Sequence, residues 1–430
     1  MIHKIRNSPY LRDISFQASG NTIGQIIGIV SLPILTRLYS PSDFAVLNLF
    51  TQVVMLMNIL LTLRLEYFIN LPKENDNVYL LLKGILVIGF STLIFWSGVV
   101  HFFSTDISKL LNEPLLSDWL ILAPITALFM SISIAIQHLH QRNEHYKISG
   151  FSEIISKLGY VFSGVIGYLI LPKSLGLMLA IIFSNFVKGA YLVTSLKKSI
   201  IKKVFLSFES CRAIGKTLFK YSYLSSSLTF SHIMLAFTTA IPVIFISNFY
   251  GKEILGQFSL VIATIYLPSS VLGIAIGQVY YQRAAKRYAN GNNFNDLWKE
   301  TANFLLVFGI PIYLFIGFLS PYAYPIIFGA EWYEAGQYAT IVSISAFFGF
   351  ITVPLDRGCL VTNRGWYVML YHSLRVLTTF LIALLTSIFN WDFDFFLSIL
   401  VCQMSLMYLF DYYANWLFSK ANPLIEETLS

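Results

Sequence analysis

Residues 58–72 read NILLTLRLEYFINLP. A long apolar run ends with Arg64 and Glu66 two positions apart, and either charge is costly to bury in lipid. The run has many counterparts. Of 430 residues, 56% are hydrophobic and only 12% charged; a soluble domain carries about 25% charged residues. Mean hydropathy is +0.67. Runs long enough to span a bilayer, about 20 residues, recur along the chain. Strands of a membrane barrel would alternate over about ten residues instead. The reading is a polytopic, all-α integral membrane protein, with no sizeable soluble domain.

Twelve spans are expected: 14–37, 44–71, 78–101, 118–140, 153–171, 176–196, 222–247, 255–279, 300–320, 336–356, 366–389 and 394–418. Short connectors carry turn chemistry, as in YSPSD and ANGNN. The basic start, MIHKIRNSPYLRDISF, reads as the flank of a retained first helix rather than a cleavable signal. With the N-terminus cytoplasmic, most of the 29 Lys and Arg fall on the cytoplasmic side. Only Arg37, Lys109, Lys173 and Lys252 fall opposite. This positive-inside bias puts both termini in the cytoplasm. The net charge of +7 reflects that topology and not a nucleic-acid partner.

The longest polar connector, 197–221, divides the chain into 1–196 and 222–430, with six spans each. The two parts echo each other. LYSPSDFAVLNLF (38–50) aligns without gaps to FYGKEILGQFSLV (249–261), so Tyr39 meets Tyr250 and Leu49 meets Leu260. An even number of spans per repeat makes the repeat parallel, about an axis along the membrane normal.

Ionisable groups inside spans are functional candidates by default, because a partner or water must offset their burial. Arg64 and Glu66 fall in the cytoplasmic half of span two, Lys83 at the start of span three and Lys188 inside span six. His232 falls mid-way in span seven and Arg375 about ten residues into span eleven. The set predicts a wet, cationic cavity suited to an anion, since arginine presents a planar fork of donors to phosphate. Snorkelling to lipid phosphates is the competing reading for Arg64, with Glu66 as its ion-pair partner. Asp356 in span ten and Asp411 in span twelve are the acidic counterparts, able to pair with a base or carry a proton.

Gly20, Gly24 and Gly28 share one face of span one, the small-residue pattern that lets helices approach closely. Pro33, Pro242, Pro268 and Pro311 mark bends or hinges within spans. HLHQRNEHYK (138–147) holds three histidines that do not share a helical face, so no metal site is expected. Three scattered cysteines argue against a disulfide framework. No phosphate loop is present, which argues against direct ATP drive, and no catalytic motif points to an enzyme.

LPILTRLYSPSDFAVLNLF after a glycine-rich first span, LRLEYFINLP closing the second, and NFYGKEILGQFSL with QVYYQRAAKRYANG in the second half resemble Wzx-type O-antigen and polysaccharide flippases. That family lies within the multidrug/oligosaccharidyl-lipid/polysaccharide exporter superfamily. Ala45 departs from the glycine often found there. The resemblance implies a MATE-like fold, two six-helix bundles around a central cavity, in a bacterial inner membrane. It implies flipping of an undecaprenyl-pyrophosphate-linked oligosaccharide to the periplasmic leaflet by alternating access. The cavity cations would hold the pyrophosphate, and membrane lipids would accommodate the tail. Polymerase and chain-length proteins of the pathway are the implied partners. No cofactor is expected; a proton or sodium gradient is the implied drive, with Asp411, Glu66 or His232 as carriers.

Two other readings compete. Lipid II or multidrug export lies within the same superfamily, though cationic drugs call for acidic cavities. An O-antigen polymerase or ligase needs a long periplasmic loop with arginines or histidines. The longest expected here, 102–117 and 321–335, hold no arginine.

Overall fold

The computed structural model describes residues 9–72, 74–207 and 209–421. The chain is 88% helical without strands among the described residues, and twelve helices there are long and apolar enough to cross a membrane. In chain order the long helices are α1 (Pro9–Leu38), α2 (Pro41–Thr62), α3 (Asn75–Leu110), α4 (Leu122–Arg142), α5 (Tyr146–Ile170) and α6 (Lys173–Thr194). Then follow α7 (Cys211–Phe249), α8 (Lys252–Ile265), α9 (Ile274–Ala289), α10 (Asn295–Phe328), α11 (Tyr333–Thr352), α12 (Trp366–Phe389) and α13 (Phe393–Ser419). All twelve expected spans are present. The eighth is α8 prolonged by a π turn at Ser269–Gly273, with α9 running on from it. Pro268 falls in that irregular stretch, not in regular helix.

By contacts the chain divides into two compact units, Met1–Ala236 and Phe237–Ser430. The division falls inside α7, which at 39 residues is about 58 Å long. The polar connector lies wholly within the first unit. Val204 and Tyr221 are buried there with Leu81, Leu82 and Leu139, and Tyr221 stacks on Phe68 at 5.4 Å.

The two units repeat one packing scheme. In the first, α2 packs on α4, α3 on α4, α4 on α6 and α5 on α6. In the second, α8 packs on α11, α10 on α11, α11 on α13 and α12 on α13. Spans two, four and six thus correspond to eight, ten and twelve. The aligned turns also match. Ser40 caps α2 through a reciprocal capping box with Asp43. Gly251, at φ 90°, precedes α8, in a left-handed conformation that favours glycine.

The glycine face of α1 seats α5. A methyl at Gly20 would collide with the Gly150 backbone, and one at Gly24 would lie 3.3 Å from the Glu153 Cβ. At Gly28 it would only touch the Lys157 stem, at 3.7 Å. Contacts advance in the same direction along both helices, so α1 and α5 run parallel, as two odd-numbered spans must.

Candidate functional site

The α2 helix stops at Thr62, short of the expected residue 71. Leu63 and Arg64 both adopt left-handed φ, 48° and 56°, and a 3-10 turn over Leu65–Phe68 follows. Arg64 and Glu66 therefore sit beyond the helix end rather than inside the span. Two consecutive non-glycine residues in this region cost about 1–3 kcal/mol each. Neighbours hold them there: Ser225 of α7 donates its hydroxyl to the Leu63 carbonyl. Arg142 of α4 donates to the carbonyls of Ile69 and Pro72, at 3.2 and 2.6 Å.

In that turn Arg64 Nη1 meets Glu66 Oε1 at 3.3 Å, and Glu66 is 0% exposed. Arg64 Nε, Glu66 Oε2 and His138 Nδ1 are buried without a hydrogen-bond partner among the described residues. The Tyr67 ring lies 5.5 Å from His138 and 5.7 Å from His232. His232 Nδ1 lies 2.8 Å from the Leu228 carbonyl. Arg64, Glu66 and His232 are thus brought together, with His138 added from the tract read as a non-metal histidine cluster. The other two histidines of that tract meet each other, His140 and His145 at 3.4 Å. Among the described residues no group of three or more His, Cys, Asp or Glu could hold a metal.

Lys83 is not part of this cluster. Its buried ammonium donates to the Ser207 carbonyl at 3.0 Å and the Ser207 hydroxyl at 2.8 Å, with Glu209 at 3.5 Å. It fastens the connector to α3.

Lys188 lies in a third group. It donates to Glu153 Oε1 at 2.6 Å, and Gln137 Nε2 donates to the same oxygen at 3.0 Å. Lys157 follows one turn after Glu153. Sequence reading missed Glu153 and Lys157 as candidates because it began span five at residue 153, where charges read as interfacial. In the structure α5 begins at Tyr146, so Lys157 is near mid-helix. His145, just before that start, is exposed and Tyr146, the first helical residue, half-buried; the signal available was the Glu153–Lys157 spacing of four.

In the second unit, Arg375 lies over two rings, 5.7 Å from Tyr371 and 5.4 Å from Tyr408, within cation–π reach. The Tyr371 hydroxyl is buried without a hydrogen-bond partner among the described residues. Asp411 accepts from the Tyr367 hydroxyl at 2.9 Å and from Asn415 Nδ2 at 2.8 Å. Asp356 lies past the end of α11, after the turn Val353–Leu355, within electrostatic range of Asp411. Both carboxylates thus share a neighbourhood with Arg375, and among the described residues Asp411 is held by neutral donors rather than by an ion pair.

Two repeated sets of six spans, with ionisable groups held in or beside them, define a multi-pass membrane protein. The chain belongs to the polysaccharide biosynthesis protein family, whose model matches residues 34–337. It is 22% identical over 361 residues to the capsular polysaccharide biosynthesis protein CapF of Staphylococcus aureus, covering 82% of this chain and 86% of that one. Among solved structures it resembles the lipid II flippase MurJ in an inward closed conformation. The TM-score is 0.68 at 14% identity, over 94% of this chain and 90% of that chain. It also resembles a mutant of the Vibrio cholerae MATE transporter VcmN, with TM-score 0.63 at 13% identity, over 95% and 97% of the two chains. The fold is the one that these two solved structures share.

Proposed function

We propose that this chain is a flippase for undecaprenyl-pyrophosphate-linked oligosaccharide, the repeat unit of an O-antigen, capsule or related surface polysaccharide. It moves the repeat unit from the cytoplasmic to the periplasmic leaflet of a bacterial inner membrane, with both its termini cytoplasmic. The observation that carries this reading is a conjunction. A polysaccharide biosynthesis family member shares its fold with a lipid II flippase and keeps Arg64, Lys188 and Arg375 in or beside its spans. A cation kept at such depth calls for water or an anion beside it. In this reading the halves 1–196 and 222–430 alternate around a cavity that takes the pyrophosphate, while the lipid tail stays in the bilayer. A proton or sodium gradient drives the cycle through Asp411, Glu66 or His232, and polymerase and chain-length proteins receive the product.

The deciding experiment is a deletion strain. It should lose surface polysaccharide and accumulate labelled lipid-linked repeat units in the inner leaflet, and the wild-type gene should reverse both. Normal surface polysaccharide in the deletion strain would sink the reading.

A further inference from the structure

Glu153 and Lys157 lie four residues apart on α5, in the order that favours an ion pair within one helix. That pair is not made. Glu153 gives its Oε1 to Lys188 of α6 and Gln137 of α4 instead. Lys157 is left with no carboxylate within 4 Å among the described residues. Its methylene stem lies over Gly28 of α1, while the residue as a whole is exposed. The position is near the middle of a 25-residue helix, about 16 Å along the axis from its first residue. The half-thickness of the hydrocarbon is about 15 Å. A lysine stem is too short to carry the ammonium from that depth to the headgroups. An ammonium held at that depth must face water or an anion, because acyl chains exclude it.

We infer that Lys157 is the anion-contacting residue of a binding site in the first unit, and that Glu153 and Lys188 are its positioning residues. One carboxylate stands beside two ammonium groups. As long as Lys188 holds Glu153, the Lys157 ammonium is available to a ligand. Were Lys188 absent, Glu153 would capture Lys157 through the intrahelical spacing, and the site would close. The ligand class is an anionic oxygen group, phosphate or carboxylate. The transport reading above, on which the identity of the ligand rests, offers two sources: the pyrophosphate link of the lipid carrier, or an acidic sugar of the repeat unit.

The test measures equilibrium binding of radiolabelled inorganic pyrophosphate, and separately of glucuronate, to the detergent-purified full-length protein. Lys157→Gln should weaken binding of at least one probe tenfold or more, while Lys157→Arg retains it. Lys188→Gln should weaken the same probe comparably. The double variant Glu153→Gln/Lys188→Gln should restore binding to near the wild-type level, a rescue that a purely structural ion pair would not produce. Response to pyrophosphate alone assigns the lipid link, and response to glucuronate alone assigns an acidic sugar. Lys157→Gln binding both probes like the wild type, or the double variant binding no better than Lys188→Gln, overturns the assignment. The proposed function fails separately: it falls with a normal deletion strain, whatever the binding results, and stands if the deletion strain loses polysaccharide while Lys157→Gln binds and complements fully.

Discussion

Tyr39 and Tyr250 make comparable bonds in the two halves of the chain. Each ends the first span of its half, and each donates its hydroxyl to a backbone carbonyl near that half's fifth span. Tyr39 donates to Gly164 at 2.6 Å and Tyr250 to Trp391 at 2.9 Å. The internal repeat read from aligned loop edges is thus carried by a shared contact as well as by shared packing. Replacing either tyrosine by phenylalanine should remove about 1 kcal/mol of stability. Thermal unfolding in detergent should show similar losses for both single variants.

The same pair predicts a pH dependence. Both hydroxyls are pushed up to about 12, mainly by burial, with Asp43 adding to the first and Asp392 to the second. The folded value lies above the unfolded value of about 10. Their contribution is therefore complete below about pH 10 and is lost as pH rises from 10 to 12. Melting curves of wild type and of Tyr39→Phe/Tyr250→Phe should converge across that window. A constant difference up to pH 12 would show that the hydroxyls do not set it.

The glycine face of α1 should grade three substitutions. Gly20→Ala meets backbone and should destabilise by about 1–3 kcal/mol, the usual range for overpacking. Gly24→Ala should cost less and Gly28→Ala little, since the atoms facing them lie at 3.3 and 3.7 Å. The order of melting temperatures is the measurement; a reversed order would contradict the packing of α1 on α5.

Arg64 and Glu66 form a pair that transport and stability assays can separate. Removing one partner of a buried pair costs about 3–5 kcal/mol, because the other charge is left uncompensated. Arg64→Ala and Glu66→Gln should each lower stability. The double variant should recover most of that loss and still fail to export polysaccharide. Full export by a stable double variant would make the pair structural.

Lys83 offers a test on the connector. Lys83→Met removes a buried ammonium that holds Ser207 from two sides, and a hydrogen bond to a charged group contributes about 1.5–3 kcal/mol. The connector should then open more often, and trypsin should cleave after the exposed Lys202 and Lys203 at least tenfold faster. Unchanged cleavage would mean that Val204 and Tyr221 anchor the segment unaided.

Span number and order were legible because apolar length reports the bilayer directly. The stop after Thr62 was not, since the apolar run continues to Leu71 and hydropathy carries no information about φ. Arg375 was readable as a deep cation, and its Tyr371 neighbour sits one turn back on the same face of α12. Tyr408 was not readable, because it arrives from α13. Lys83 looked like a cavity residue because its partners, Ser207 and Glu209, lie more than 120 positions away. Glu153 and Lys157 of the triad with Lys188 fell at the edge of a span whose start was drawn seven residues late.

The two arginines differ in how they are mounted. Arg64 is pinned by a directional contact with a carboxylate two residues away, so any approach to another anion begins with a bond broken. Arg375 rests against two tyrosine faces, where attraction varies gently with position. In the proposed transport cycle it could slide toward an incoming charge and back without first breaking an ion pair to any described residue.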